Sequence, residues 1–182
     1  MYTKGVTVET TILETRRLTL RPITMEDVPR FFAFFSDAET MRFYPATRSR
    51  AETVEFVRRQ LHRYKADGYG PWAVILKAGN ELIGYCGLIN QTVDSKLEVE
   101  IGYLINREHW RKGYASEAAI GCRDYAFNKL QVERLISLID PRNVASIGVA
   151  RKVGMTLEKT SYWQGKWMNV YSLLKTVEKN TS

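Results

Sequence analysis

The stretch Glu98–Glu117, EVEIGYLINREHWRKGYASE, decides how the rest of the chain is read. It begins inside Leu97–Ile105 (LEVEIGYLI), where acidic and apolar side chains alternate as on a strand with one polar face. Asn106–Tyr114 breaks that alternation with a run rich in basic residues, ending near Gly113. From about Ala115 to Asn128 the chain reads as a helix. Strand, basic loop, glycine and helix start, in that order, suit an anion. Glycine lets a ligand approach the backbone closely. The first N–H groups of a helix lack intrahelical partners, and its dipole favours negative charge beside them. Arg111 and Lys112 add two full charges, so the segment is suited to a pyrophosphate. It is not a dinucleotide fingerprint, because G-x-G-x-x-G does not fit around Gly113, and it is not a P-loop, because G-K-[ST] does not occur.

Upstream, Trp72–Lys77 (WAVILK) and Glu81–Leu88 (ELIGYCGL) flank Gly79-Asn80, a tight hairpin signal. Further back, Arg17–Pro22 (RLTLRP) reads as a first strand. Thr24 caps a helix with Asp27 in its first turn and Phe31, Phe34 and Phe35 on its apolar side. Ser49 and Glu52 form a capping box for a second helix, where Val54, Val57, Leu61 and Tyr64 recur at helical spacing up to Gly68. Downstream, Arg134–Ile139 is a strand that Pro141 breaks, and Asn143 opens a helix ending at Gly154. Leu157–Trp163 and Trp167–Leu174 close the chain as a hairpin around Gln164-Gly165. The order is strand, two helices, three strands, helix, strand, helix, two strands. This is a mixed α/β pattern in which an antiparallel meander feeds a helical crossover. No repeat, low-complexity tract or Pro/Gly/Ser linker interrupts it, so residues 1–182 read as one domain with a core at about 16–175.

Composition narrows the class. A chain of 182 residues can bury a core without staples. Hydrophobic residues at 45% and charged residues at 26% exclude disordered and fibrous proteins. No apolar run approaches the ~18 residues that a membrane span needs. Met1–Thr11 is polar and lacks a signal-peptide core, so a cytoplasmic protein with no membrane partner is expected. Cys86 and Cys122 form no C-x-x-C pair, and His62 and His109 are the only histidines, so no metal site is expected and both thiols read as small buried hydrophobes. The net charge of +7 favours anionic partners, either a nucleic acid or a phosphorylated cofactor. Arg58, Arg59 and Arg63 on the second helix are mixed with Glu52 and Glu55 and match no nucleic-acid motif, so a solvated amphipathic helix explains them more simply.

The run EIGYLINREHWRKGYASEA resembles the cofactor-binding motif of the GNAT acetyltransferase superfamily, and NVASIGVARKVGM, Asn143–Met155, resembles its second motif. The element order matches as well, so the resemblance covers roughly residues 16–175, and its nearest look is to the ribosomal-protein N-terminal acetyltransferase branch (RimJ/RimL type). It implies a central, mostly antiparallel, twisted sheet of about seven strands, splayed in the middle and flanked by about four helices. It implies acetyl-CoA as cosubstrate, a primary amine of a protein N-terminus or a small molecule as acceptor, and a plausible homodimer. The gap would lie between Glu98–Ile105 and Arg134–Ile139 and take the pantetheine arm. Tyr103, Leu104 and Ile105 match the backbone-contact positions. Arg111, Lys112, Gly113, Tyr114, Ala115 and Ser116 match the pyrophosphate loop, and Asn143 and Ser146 lie where the lower arm and thioester would be. Trp110 departs from the Gln or Arg often found there, and Ala150 stands where many members carry a tyrosine.

Acetyl transfer from a thioester to an amine needs three events: the amine loses a proton, the carbonyl oxygen is stabilised as it gains charge, and the thiolate leaves. An alkylammonium has a pKa near ~10, so a base is useful at neutral pH. Glu98 and Glu100 lie on one strand face, with Gly102 next in line. Glu100 matches a glutamate that often serves as base in the family, with Glu98 second. Backbone N–H groups near Tyr103 and Leu104 would form the oxyanion hole. Ser146 is a candidate for the sulfur, while Tyr103, Tyr114 and Tyr125 leave the acid unassigned. A covalent acetyl-cysteine would need an activated thiol, which neither cysteine's surroundings supply, so direct transfer in a ternary complex is expected. Two readings of other classes stay open: a CoA-binding sensor without turnover, and a basic nucleic-acid-binding module.

Overall fold

The structure, a computed structural model, describes residues 11–176. The polar stretch ahead of Thr11 and the residues beyond Thr176 lie outside the described residues. Strand β1 (Leu13–Glu14) and β2 (Leu18–Pro22) open the fold, followed by α1 (Val28–Phe35) and α2 (Arg50–Ala66). Next come β3 (Pro71–Leu76), β4 (Glu81–Val93), β5 (Lys96–Ile105), α3 (Tyr114–Asn128), β6 (Arg134–Ile139), α4 (Val144–Val153), β7 (Thr156–Trp163) and β8 (Lys166–Leu174). All eight strands join one sheet in the order β1-β2-β3-β4-β5-β6-β8-β7. The eighth strand beyond the expected seven is β1, which pairs only Leu13↔Leu20 and Glu14↔Thr19 and is too short to show a period.

The helices cover both faces, because successive strand residues point to opposite sides. Trp72 and Val74 face a core with Ala118, Ala119, Cys122 and Ala126 of α3 and Ala150 and Val153 of α4. Ala73 and Ile75 face the other core, with Phe31, Phe34 and Phe35 of α1 and Phe56 and Val57 of α2. Cys86 and Cys122 are free and fully buried, their sulfurs 3.5 Å apart across the first core.

Two local outcomes differ from the sequence reading. The helix expected after Thr24 begins as a tight 3-10 turn, Met25–Asp27, and becomes α-helical at Val28. Asp27 explains the offset: its buried carboxylate holds the Arg21 guanidinium at 2.7 and 2.8 Å and accepts from the Thr24 N–H at 2.8 Å. Strand β4 runs on to Val93 instead of stopping at Leu88, then turns through Asp94 and Ser95 (φ 47° and 64°) into β5. That turn has two left-handed residues but no glycine, so the usual sequence signal for it is missing. Strand β4 also crowds its neighbour: a Cβ on Gly84 would sit 2.1 Å from the Leu104 carbonyl oxygen.

One pairing is unlike the rest. Strand β5 meets β4 along its whole length, yet touches β6 in parallel through a single bridge, Glu100↔Ile136. The Ser137 hydroxyl donates to the Ile101 carbonyl at 2.9 Å just past that bridge. Beyond it no strand among the described residues pairs with that edge of β5, so the sheet is open in its middle.

Candidate active site

The opening leads into a cavity of about 1500 Å³ that reaches both faces of the sheet. Glu100, Tyr103, Leu104, Ile105, Arg111 and Gly113 line it, with Tyr114, Ala115, Ser116, Asn143 and Ser146. Glu98 and Lys112 are the two sequence-derived candidates outside that lining. Lys112 donates instead to the Glu108 carbonyl at 2.9 Å. A second hollow, between Ile12–Thr15 and α3, is lined by Tyr125 and by no other candidate.

The end of the cavity at Arg111–Ser116 is shaped by backbone. Arg111 and Gly113 both have left-handed φ angles, 60° and 82°, which fold the loop into a concave nest of N–H groups ahead of α3. The first helical N–H groups there have no intrahelical acceptor. The loop is buttressed from a place the sequence reading did not single out. The Glu117 carboxylate accepts from the Thr15 hydroxyl (2.6 Å), the Arg17 N–H (2.7 Å) and Arg17 Nε (2.6 Å). Arg17 then donates to the Lys112 carbonyl at 2.9 Å and lies over the Tyr114 ring. Burial opposes ionisation of Glu117, but those three donors outweigh it and hold its carboxyl below the usual range. Trp110 is structural here: its indole donates to the Ile105 carbonyl at the end of β5.

Glu98 and Glu100 share a strand face but not an environment. Glu98 is 3.0 Å from Arg134, which also holds Glu158 at 2.8 Å, so its charge is neutralised between strands. Glu100 is buried, with the Leu138 N–H 3.4 Å away. Burial pushes the Glu100 carboxyl up, against hydrogen bonds from Gln91 and Leu138 and the charge of Arg63. Tyr103 spans the opening from β5 to α4, its hydroxyl donating to the Ser146 carbonyl at 3.0 Å. Burial raises its pKa, so the phenol stays protonated at neutral pH. Asn143 caps α4 by accepting from the Ser146 N–H at 3.1 Å. Of the remaining tyrosines considered, Tyr125 packs edge-on against Trp72 in the core.

The comparisons with known proteins fit this geometry. Residues 17–156 match the family described as Acetyltransferase (GNAT) domain. The chain belongs to the GNAT acetyltransferase family. It is 38% identical over 162 residues to the protein YkkB of Bacillus subtilis, covering 88% of this chain and 94% of that one. It is 32% identical over 175 residues to the N-acetyltransferase YoaA of the same organism, covering 92% and 98%. Among solved structures, an acetyltransferase from Agrobacterium tumefaciens superposes with a TM-score of 0.78 at 30% identity, covering 90% and 94%. This GNAT chain is therefore an acetyl-CoA-dependent N-acetyltransferase. No helix among the described residues is long and apolar enough to cross a membrane.

The GNAT motifs account for the end of the cavity at Arg111–Ser116, but its far end was not read from sequence. Tyr44 and Tyr85, with hydroxyls 3.1 Å apart, line it, as do Arg48, Arg59 and Arg63. The i, i+4 spacing of Arg59 and Arg63 was visible as a helix face. What that face meets is a tertiary fact. Arg58, by contrast, is exposed and pairs with Glu55 at 2.6 Å.

Proposed function

We propose that this enzyme transfers acetyl directly from acetyl-CoA to a primary amine of a small molecule or a protein N-terminus, with both substrates bound at once. The observation that carries the reading is the single-bridge opening between β5 and β6, with an anion nest at one end and a buried carboxylate inside. In this reading the nest Arg111–Ser116 binds the pyrophosphate, largely through backbone N–H groups. The unpaired edge of β5 at Tyr103–Ile105 hydrogen-bonds the pantetheine amides. Asn143 and Ser146 face its lower end.

Glu100 takes the proton from the attacking amine, the carbon–nitrogen bond forms, and the carbon–sulfur bond breaks. The raised pKa suits a base that must accept a proton near neutral pH. Backbone N–H groups near Tyr103 and Leu104 stabilise the oxyanion. The leaving thiolate takes its proton from solvent, with the Tyr103 hydroxyl beside Ser146 as the candidate hydrogen-bond donor to the sulfur. Glu98, held by Arg134, is left as a strand-to-strand tie. An acetyl-cysteine intermediate is disfavoured because both thiols are buried and burial pushes Cys122 well up.

The test is a calorimetric titration with acetyl-CoA beside Gly113→Val, followed by thiol release with amine acceptors. Gly113 is left-handed, and a Cβ there would meet Arg17 Nη2 at 3.4 Å, so the variant should bind at least about tenfold more weakly. Equal affinity for both proteins would remove the nest from the cofactor site. Binding without turnover on any amine would favour a CoA-binding sensor.

A further inference from the structure

The cations of the cavity are not equally occupied. Arg42 is paired with Glu39 at 2.7 Å, and Arg107 with Asp37 at 3.4 Å. Arg142 and Lys166 share Asp140, at 2.8 and 3.7 Å. Arg111 and Lys152 lie at the nest and along α4, where a polyphosphate would need them. Three arginines at the far end are left: Arg48, Arg59 and Arg63. Among the described residues, none of them has an acidic partner within ion-pair distance.

These three are positioned rather than loose. The Arg48 guanidinium lies over the rings of Phe35 (4.5 Å) and Phe56 (5.1 Å), and its Nη1 is buried with no hydrogen-bond partner. Arg63 donates to Gln60 at 2.8 Å, and buried Gln60 donates in turn to the Phe56 carbonyl at 2.6 Å. Phe56, Arg59, Gln60 and Arg63 follow one another at helical spacing on the α2 face that lines the cavity. The acids that act on them are Glu52, which closes the capping box with Ser49 at 2.7 and 2.8 Å, Asp67 at the end of α2, which forms no ion pair with Arg63, and Glu100, the proposed base. Burial and the charge of Arg59 both work against the Arg63 guanidinium, and an anion would relieve that while using the planar donors.

We infer that the acceptor is a small amine that also carries a carboxylate, held by Arg48, Arg59 and Arg63 while its amino group faces Glu100. The inference rests on the acetyl-transfer reading and narrows it. Acetyl still moves from sulfur to nitrogen and the amine proton goes to Glu100; the arginines only orient and select. A polyamine would bring its spare positive charge against three arginines, so the same cluster rejects it.

The experiment measures thiol release from acetyl-CoA with ω-amino acids of two to six carbons, each beside its neutral amide and the matching diamine. From about four carbons up the acceptor amines differ little in basicity while the far group changes from negative to neutral to positive; the shorter members are compared at equal free-amine concentration. At least one chain length should show kcat/KM about ten- to a hundredfold higher for the carboxylate than for its amide. In Arg59→Gln and Arg63→Gln that ratio should fall toward one. Arg63→Lys should restore part of it, since the charge remains and the planar fork is lost. Unaltered acetyl-CoA affinity in each variant reports an intact fold. Amides or diamines equal to or better than carboxylates at every length would overturn the inference. So would a preference that survives all the arginine variants, or acetylation confined to peptide N-termini. Failure of the wild-type protein to bind acetyl-CoA is a different result: it removes the acetyl-transfer reading, and this one with it.

Discussion

Replacing Glu100 by Gln separates what the buried carboxylate does for chemistry from what it costs the fold. The substitution keeps the side-chain volume, so no cavity opens. It also keeps an oxygen that can accept from the Leu138 N–H, a contact that is already long at 3.4 Å. Little packing is therefore lost, and the change falls on the proton. If Glu100 is the base, turnover should fall by about 10²–10⁴, which is about 2.7–5.5 kcal/mol of transition-state stabilisation at 1.36 kcal/mol per decade. Stability should move the other way. The folded Glu100 has its pKa raised above the ordinary 4.5 by burial. A raised carboxyl pKa means that the folded state prefers the protonated form. That stabilisation is complete below the ordinary value and is lost as pH rises through the folded pKa. Glutamine stays neutral throughout, so the Tm of Glu100→Gln should gain on the wild type as pH rises from about 4 to neutral. The assays are thiol release against pH and thermal unfolding against pH, on both proteins. The acid limb of kcat/KM due to the carboxyl should vanish in the variant, while the limb due to the acceptor amine remains. Turnover within about threefold of wild type across the whole range, far short of the loss a base should cause, would refute the role of Glu100.

Other perturbations test neighbouring parts of the argument. Tyr103→Phe removes the hydroxyl bonded to the Ser146 carbonyl and should lower kcat by about tenfold while costing only about 1 kcal/mol of stability; a wild-type kcat in stopped-flow turnover would remove the phenol as a hydrogen-bond donor to the leaving sulfur. The double variant Cys86→Ala, Cys122→Ala should lose about 1–2 kcal/mol to the small cavities it leaves, yet keep kcat; loss of turnover in the folded protein would establish a covalent acetyl-enzyme instead. Glu117→Gln weakens three charge-assisted contacts behind the nest and should reduce acetyl-CoA affinity several-fold by titration. Because the Glu117 carboxyl is held below its ordinary 4.5, its contribution to stability is present above that value and lost as pH falls through the folded pKa, so the Tm gap between wild type and Glu117→Gln should close in acid.

Much of this protein is legible in one dimension, because strands, helices and caps are local. The alternation of Leu97–Ile105, the capping box of Ser49 and Glu52, and the glycine ahead of α3 each express a backbone preference that near neighbours set. Where a local signal was absent, the reading fell short. The Asp94-Ser95 turn uses left-handed residues without glycine, and β1 has only two residues. In the site, spacing placed Glu98 and Glu100 on one strand face, but nothing in their spacing told them apart.

The sequence alone determined most of the element order, the glycine at the start of α3 and the family to which the chain belongs, since each follows from short contiguous runs. The tertiary structure decided which charges are free. Glu98 is neutralised because β6 brings Arg134 beside it, whereas Glu100 is buried in the opening with its carboxyl pKa raised. Arg58 and Arg59 are adjacent in the chain, yet one meets Glu55 at the surface and the other lines the cavity, because successive residues on a helix point about a hundred degrees apart. Pairing, burial and unmet charge are properties of what packs across from a residue, and that is fixed only when distant segments meet.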